Sequence, residues 1–274
     1  MKFQILADSS CDLTENDFNH KGIGFKIVPL TIRVGEQDFV DDNQLNPKEM
    51  LSAMHAFRGK SLSSCPSPDA YLNEFANAEY TFVVTISQKL SGSFNSAFVA
   101  QGSHDHPENI FVIDSKATSG TMALIVEEIA RLIELGLSYK EICQKIIEYR
   151  DARTLFFVLQ KFDNLVAAGR MSRVAGFIAN SLLVRPICRA VDGDIKIAMK
   201  LIGPRNAFQK LIKLTNEECK DKTAPIVITH CQDPQDGEYV KQELTKLGFS
   251  NIKLAPMRGL CSYYALEKGM ILCF

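Results

Sequence analysis

The chain has no Cys-x-x-Cys pair, no Gly-x-Gly-x-x-Gly turn, no Walker-type phosphate loop and no Gly-x-Ser-x-Gly elbow. Each absence removes a class of chemistry. Without closely spaced ligands the usual sequence sign of a zinc site is missing. His104-x-His106 is the one close histidine pair, and it sits in a polar turn before Pro107. Without the glycine-rich turns a nucleotide site has little support. Without the elbow, Leu90-Ser91-Gly92-Ser93 is a poor match to a hydrolase nucleophile. Such a serine also needs a histidine base, and His230 is the one candidate by placement.

Charge of one sign is also lacking. The 274 residues carry a formal net charge of -1, so no global basic field draws the chain to nucleic acid or to an anionic membrane. No apolar run approaches the roughly 18–20 residues of a membrane span. The apolar stretch at Phe3 to Ala7 is too short for a signal peptide and reads as a first strand, which favours a cytoplasmic setting. Eight dispersed cysteines then read as small buried hydrophobes in a reducing compartment.

What is present is an alternation of short apolar strands with helical patterns. Tyr80 to Ile86 and Asn109 to Ile113 are Val-, Ile- and Phe-rich runs without polar alternation, each followed by a helix. Such runs predict a parallel sheet covered on both faces. Pro47, Pro68 and Ser138-Tyr139-Lys140-Glu141 mark helix starts. Thr14 or Asp12 is placed to cap a helix after Asp8-Ser9-Ser10, and Pro29 predicts an edge or a bend in the run Gly22 to Ile32. Past Ala152 the pattern changes. Strands at Thr154 to Leu159, Pro225 to Thr229, Asn251 to Ala255 and Met270 to Phe274, with a hairpin turn at Asp192-Gly193-Asp194, predict mixed α/β character. The expected fold class is therefore α/β in two domains, 1–152 with a parallel sheet and 153–274 with a mixed one.

Hydroxyl side chains gather at strand ends: Ser9-Ser10, Ser61 to Ser67, Ser87 with Ser91-Gly92-Ser93, and Ser115 with Thr118-Ser119. In a parallel sheet the carboxyl ends of the strands face one crevice, where ligands bind. Hydroxyls and helix N-termini there suit a carboxylate or a phosphate. Helix capping alone accounts equally well for any single cluster. Arg170, in Gly169-Arg170-Met171-Ser172-Arg173, can reach an anion or serve as a surface or cap charge. The segment Val174 to Ile187 reads as core or as the wall of an apolar cavity.

Several of these motifs, in this order, resemble the DegV family of bacterial fatty-acid-binding proteins, the carrier subunits of fatty acid kinase. They are Asp8-Ser9-Ser10, Ser63-Ser64-Cys65-Pro66-Ser67, Ile86 to Ala97 around Leu90-Ser91-Gly92-Ser93, Asp114-Ser115 with Ser119-Gly120, and Phe162-Asp163-Asn164-Leu165 leading to Gly169-Arg170-Met171-Ser172. The resemblance spans essentially the whole chain. It implies a DegV-like fold with a long-chain fatty acid such as palmitate in a buried tunnel. It further implies hydroxyl donors to the carboxylate at Ser63 and Ser91, with Ser64 beside them. Gly92 would let the backbone approach the ligand, and Arg170 would lie near the carboxylate end. It implies no catalytic residue of its own, no metal and no cofactor beyond the lipid. A separate kinase is the expected partner for acyl phosphate formation, with room for transient membrane contact and no nucleic acid.

Four positions depart from the family pattern. Ser63 and Cys65 stand where the family reads Thr and Gln, Ala168 stands where it often has Gly, and Tyr264 occupies the place of a family histidine. A lipid sensor or store without a kinase, and a serine-based hydrolase or transferase, stand as alternatives.

Overall fold

The computed structural model describes residues 1–75, 77–171 and 184–274. Ser172, Arg173 and the apolar segment up to residue 183 lie outside the described residues.

The first half is built on a four-stranded parallel sheet. Its strands are β1 (Phe3–Asp8), β2 (Ile23–Val28), β6 (Tyr80–Thr85) and β7 (Ile110–Asp114), in the order β2-β1-β6-β7. All six residues of β1 are buried, as a central strand covered on both faces requires. Alternate side chains go to opposite faces. Leu6 and Val83 pack with Tyr71 and Phe75 of α2 (Pro68–Phe75) and with Ala97 and Ala100 of α3 (Ser93–Gly102). Ile5, Ala7, Phe82 and Val84 face the main core, which includes α4 (Gly120–Glu134) and α5 (Tyr139–Asp151). The reciprocal Ser138–Glu141 capping box starts α5, as its sequence predicts.

The run around Pro29 divides between two sheets. After β2 the chain turns into β3 (Thr31–Val34), which pairs antiparallel with β4 (Gln37–Val40) and β5 (Leu62–Ser64). Proline removes a ladder donor, so the break falls where the chain leaves the parallel sheet. Helix α1 (Pro47–Ala56) lies between β4 and β5 in the chain.

The second half is a six-stranded mixed sheet of β8 (Leu155–Val158), β9 (Ile187–Val191), β10 (Asp194–Met199), β11 (Ile226–His230), β12 (Ile252–Pro256) and β13 (Met270–Cys273). Its order is β10-β9-β8-β13-β11-β12. Between β9 and β10, Asp192 (φ 49°) and Gly193 (φ 80°) form the two-residue turn that their sequence suggests. One face packs Phe156, Ile228 and Leu272 against α7 (Pro204–Glu218) and α8 (Pro234–Lys246). The other face turns Phe157, Val227 and Ile271 to the main core. Helix α4 therefore serves both sheets. At its start a Cβ on Gly120 would sit 2.8 Å from Val227 Cβ and 3.1 Å from Cys273 Sγ, so only glycine admits this approach.

Two elements differ from the sequence reading. No α-helix follows β1; the chain makes two short 3₁₀ turns, Ser9–Cys11 and Glu15–Asp17. Asp12 adopts a left-handed conformation (φ 56°) and turns its carboxylate inward, where it accepts from Ser119 Oγ (2.6 Å) and from the Arg258 N–H (2.7 Å). The second element is a short helix, α9 (Gly259–Ala265), in a segment that carries no strong helical pattern. Asp41 accepts the Gly259 and Leu260 N–H groups, both at 2.8 Å, and so satisfies two of the orphan donors at this helix start.

Burial pushes the Asp12 carboxyl up to about 7 despite its donors. The folded state thus holds this proton more tightly than the unfolded chain, whose Asp titrates near its ordinary 3.8. Stability from this group is fully present at acid pH and is lost as pH rises towards 7. In paired chemical unfolding at pH 5 to 8, Asp12→Asn should gain on the unaltered protein by up to about 1.4 kcal/mol per pH unit. The gain should level off above pH 7; a constant difference would show that Asp12 does not titrate in this range.

Candidate functional site

A cavity of about 270 Å³ lies where β5, the loop after β6, α9 and the inner face of the second sheet meet. Its walls are mostly apolar and include Leu30, Ile86, Phe157, Leu159, Ile195 and Ile271. They come from five different strands and the loops that follow them, so no local sequence pattern outlines the cavity.

Of the polar groups of the cavity, Ser63, Cys65, Ser91 and Arg170 each have a partner. Ser63 sits mid-strand in β5 and its Oγ lies 2.8 Å from the Tyr264 hydroxyl. Cys65 follows two residues on, and its Sγ lies 3.8 Å from Ser96 Oγ of α3. A Cβ placed on Gly92 would lie 3.1 Å from that sulfur, so Gly92 and Cys65 are in direct apposition. Ser91 Oγ accepts the Ser93 N–H (3.3 Å) at the start of α3, which leaves the hydroxyl proton free to donate elsewhere. Arg170 donates through Nε to Leu90 O (3.0 Å) and through Nη1 to Ala168 O (2.6 Å). Both acceptors are neutral carbonyls. Among the described residues no carboxylate pairs with Arg170, and its charge borders the cavity uncompensated.

Tyr264 is held by its neighbour. Tyr263 donates its hydroxyl to Ser61 O (2.9 Å), while Asn164 Nδ2 donates to Tyr263 O (2.6 Å). These bonds tie α9 to the strand carrying Ser63 and to α6 (Asp163–Ala167). If Tyr264 donates to Ser63, the Ser63 proton is free to point into the cavity.

All six residues singled out in the sequence—Ser63, Ser64, Ser91, Gly92, Arg170 and Tyr264—border this one cavity. Ser64 is exposed, on the opposite side of β5 from Ser63. The remaining hydroxyl clusters serve the scaffold. Ser9 Oγ accepts the Leu30 N–H, Ser87 donates to Gly193 O, Ser115 donates to Ala117 O and Ser119 donates to Asp12. Thr118 and Cys261 also line the cavity, and neither was singled out as a ligand contact. Cys65 lies two residues beyond Ser63 in an extended segment, and that spacing was the available clue.

The arrangement combines two hydroxyls and a guanidinium with apolar walls. It can hold an amphipathic molecule by an anionic head and an aliphatic body. None of the five histidines lines the cavity. His230 instead accepts the Asp233 N–H (3.3 Å), and burial lowers its proton affinity. No cluster of three metal-ligating side chains occurs among the described residues. No helix among them is long and apolar enough to cross a membrane.

The DegV family model matches residues 2–268, and the chain belongs to this family. A DegV domain-containing protein of Streptococcus gordonii is 38% identical over 286 residues, covering 99% of this chain and 98% of its own. One from Streptococcus pyogenes serotype M1 is 35% identical over 277 residues, covering 99% of both. Among solved structures, the fatty acid kinase B3 protein of Streptococcus pneumoniae, loaded with linoleic acid, superimposes with a TM-score of 0.94 at 35% identity. That match covers 100% of this chain and 99% of the other. A DegV family protein of Eubacterium eligens, loaded with heptadecanoic acid, gives a TM-score of 0.91 at 32% identity, covering 99% and 98%. The architecture described above, two larger sheets with a small three-stranded one, is thus the DegV architecture.

Gly92 has an ordinary right-handed conformation (φ -73°, ψ 0°), so its role is spatial. Gly92→Ala should fold with stability within about 1 kcal/mol of the original, since only the Cys65 thiol has to shift. The Cys65→Ala exchange in the same background should relieve that contact. Denaturant unfolding of both variants checks this; a loss of several kcal/mol would mean that the Gly92 backbone is under a constraint beyond the thiol contact.

Proposed function

We propose that this protein holds a long-chain fatty acid in the cavity and presents its carboxylate, performing no reaction by itself, to a separate kinase that forms the acyl phosphate. One observation carries the reading: the hydroxyls of Ser63 and Ser91 and the guanidinium of Arg170, which has no carboxylate partner among the described residues, border the same mostly apolar cavity. A carboxylate in such a place is costly unless its oxygens find donors. Hydroxyl and guanidinium donors to an ionised acceptor give the stronger, charge-assisted bonds. The tail contributes roughly 0.8 kcal/mol per buried CH₂, so the walls supply most of the affinity. The linoleic and heptadecanoic acids held by the two neighbours support a chain of palmitate size or slightly longer. Support for the kinase comes from the name of the Streptococcus pneumoniae neighbour and from the motif order.

In this reading Ser91 donates to the carboxylate, and Tyr264 donates to Ser63, which donates onward. Arg170 supplies charge and fixes the loop at Leu90 through its carbonyl bond. The hydroxyl of Tyr264 does part of the work of the family histidine, since it orients Ser63. It cannot carry a positive charge near neutral pH, because a phenol has no basic nitrogen to protonate, unlike an imidazole.

Two measurements test this. Ser91→Ala should lower palmitate affinity by roughly ten- to hundredfold, the equivalent of about 1.5–3 kcal/mol for a bond to a charged group. Ligand-free stability should fall by only about 1 kcal/mol, the cost of a lost cap. Unchanged affinity with lowered stability would return Ser91 to a capping role. Tyr264→His should leave palmitate affinity within about threefold, or 0.6 kcal/mol, and raise acyl phosphate formation by a fatty acid kinase, because an imidazolium can stabilise the developing charge. Equal rates for both proteins would show that this position does not act in transfer. Lipid binding without acyl phosphate from either protein would favour a store or sensor.

A further inference from the structure

Beside the cavity lies a second, outer depression of about 450 Å³, bounded by the loop Gln88–Gly92, by Phe94 and Asn95 of α3, and by Ala168–Arg170. The two share Leu90, Ser91, Gly92 and Arg170. Whatever fills the outer groove therefore meets the residues assigned to the carboxylate. Beside the groove, α3 shows an apolar face to solvent. Phe98 is 58% exposed and Val99 46%. The Phe94 and Phe98 rings stack at 6.2 Å, one helical turn apart. Single exposed apolar side chains are ordinary, but a stacked aromatic pair at the rim of a functional groove has the make-up of a protein interface.

We propose that this groove and the Phe94–Phe98–Val99 face of α3 dock the protein that brings the phosphoryl donor to the bound carboxylate. The inference rests on the functional reading above. Charge complementarity selects the occupant. The groove floor carries Arg170 without a carboxylate partner among the described residues, and it ends at the N-terminus of the ten-residue α3. Gly92 at the N-cap brings no side chain, and the neutral Ser91 hydroxyl takes the Ser93 N–H there (3.3 Å) without adding a negative charge. Both features favour an anion with free phosphate oxygens, such as the terminal phosphate of a nucleotide carried by a partner. The same observations disfavour a membrane surface as the occupant. Recognition of an anionic leaflet calls for a cluster of roughly four to eight basic residues. This groove has two, and Lys89 is paired with Asp192 (3.3 Å).

The test is Phe98→Asp, with Val99→Asp as a second variant on the same face; neither residue lines the lipid cavity. Both proteins are loaded with palmitate and offered to the purified fatty acid kinase of Streptococcus pneumoniae with ATP. In parallel they extract palmitate from phosphatidylglycerol vesicles. Palmitate affinity and extraction rate should stay within about twofold of the original, and the KM for the carrier in acyl phosphate formation should rise at least tenfold. An unchanged KM for both variants overturns the docking surface. So does slowed extraction at unchanged KM, which would make this a membrane-facing patch. If the unaltered protein yields no acyl phosphate, the functional reading fails and the docking role falls with it. If it is active while the variants keep their KM, only the docking role fails.

Discussion

The site depends on how α9 is fastened to the first half of the chain. Asp41 takes two main-chain N–H groups at its start and Asp12 takes a third, from Arg258. Burial raises the proton affinity of both carboxyls, and the N–H donors oppose it. Gly259 makes the contact feasible, because a Cβ there would lie 2.5 Å from Asp41 Oδ1 and 2.3 Å from Leu45 Cδ2. At its other end Tyr263 reaches Ser61 O. A seven-residue helix is marginal by itself. Held at both ends, it sets Tyr264 against Ser63 and contributes Leu260 and Ala265 to the cavity wall.

The same economy runs through the hydroxyl-rich loops. At the carboxyl edge of the parallel sheet, most serines close the structure upon itself. Asp8 accepts the Ile86 N–H at 2.8 Å and so joins the ends of β1 and β6. Ser87 reaches Gly193 across to the second sheet, where the Asp192 carboxylate also meets Lys89 and Lys116. Few hydroxyls are left to serve a ligand. Ser91 accepts the Ser93 N–H and so keeps a proton to give, and Ser63 does the same when Tyr264 is the donor of their shared bond. The cavity is thus a gap between two well-bonded frames, walled by side chains from both.

Much of this was legible in the linear sequence. Strands β6 and β7 are Val-, Ile- and Phe-rich runs, buried or half-buried, and their identity follows from composition alone. Helix starts at Pro47, Pro68 and Ser138 and the turn at Asp192-Gly193 are chemical signals that act over two to four residues. The motif order around Leu90-Ser91-Gly92 and Gly169-Arg170 pointed to the cavity residues, and all six border one space. Asp12 was misread because its best partners are the Ser119 hydroxyl and the Arg258 N–H, 107 and 246 residues away. The three-stranded sheet carrying Ser63 was not foreseen either, since β5 has only three residues and no apolar pattern.

What the sequence by itself determined is everything set by near neighbours: strand and helix identity, the caps, the hairpin turn and the class of fold. Those choices depend on backbone conformation and on burial periodicities of two or 3.6 residues, which local composition encodes. Only the tertiary structure decided which serines border the cavity and which close a loop. It alone bonded Arg170 to carbonyls, with no carboxylate partner among the described residues, and it alone gave α9 its place. Hydrogen-bond satisfaction and charge pairing are properties of space rather than of order along the chain, and the partners that settle them here lie up to 251 residues apart, as between Ser10 O and Cys261.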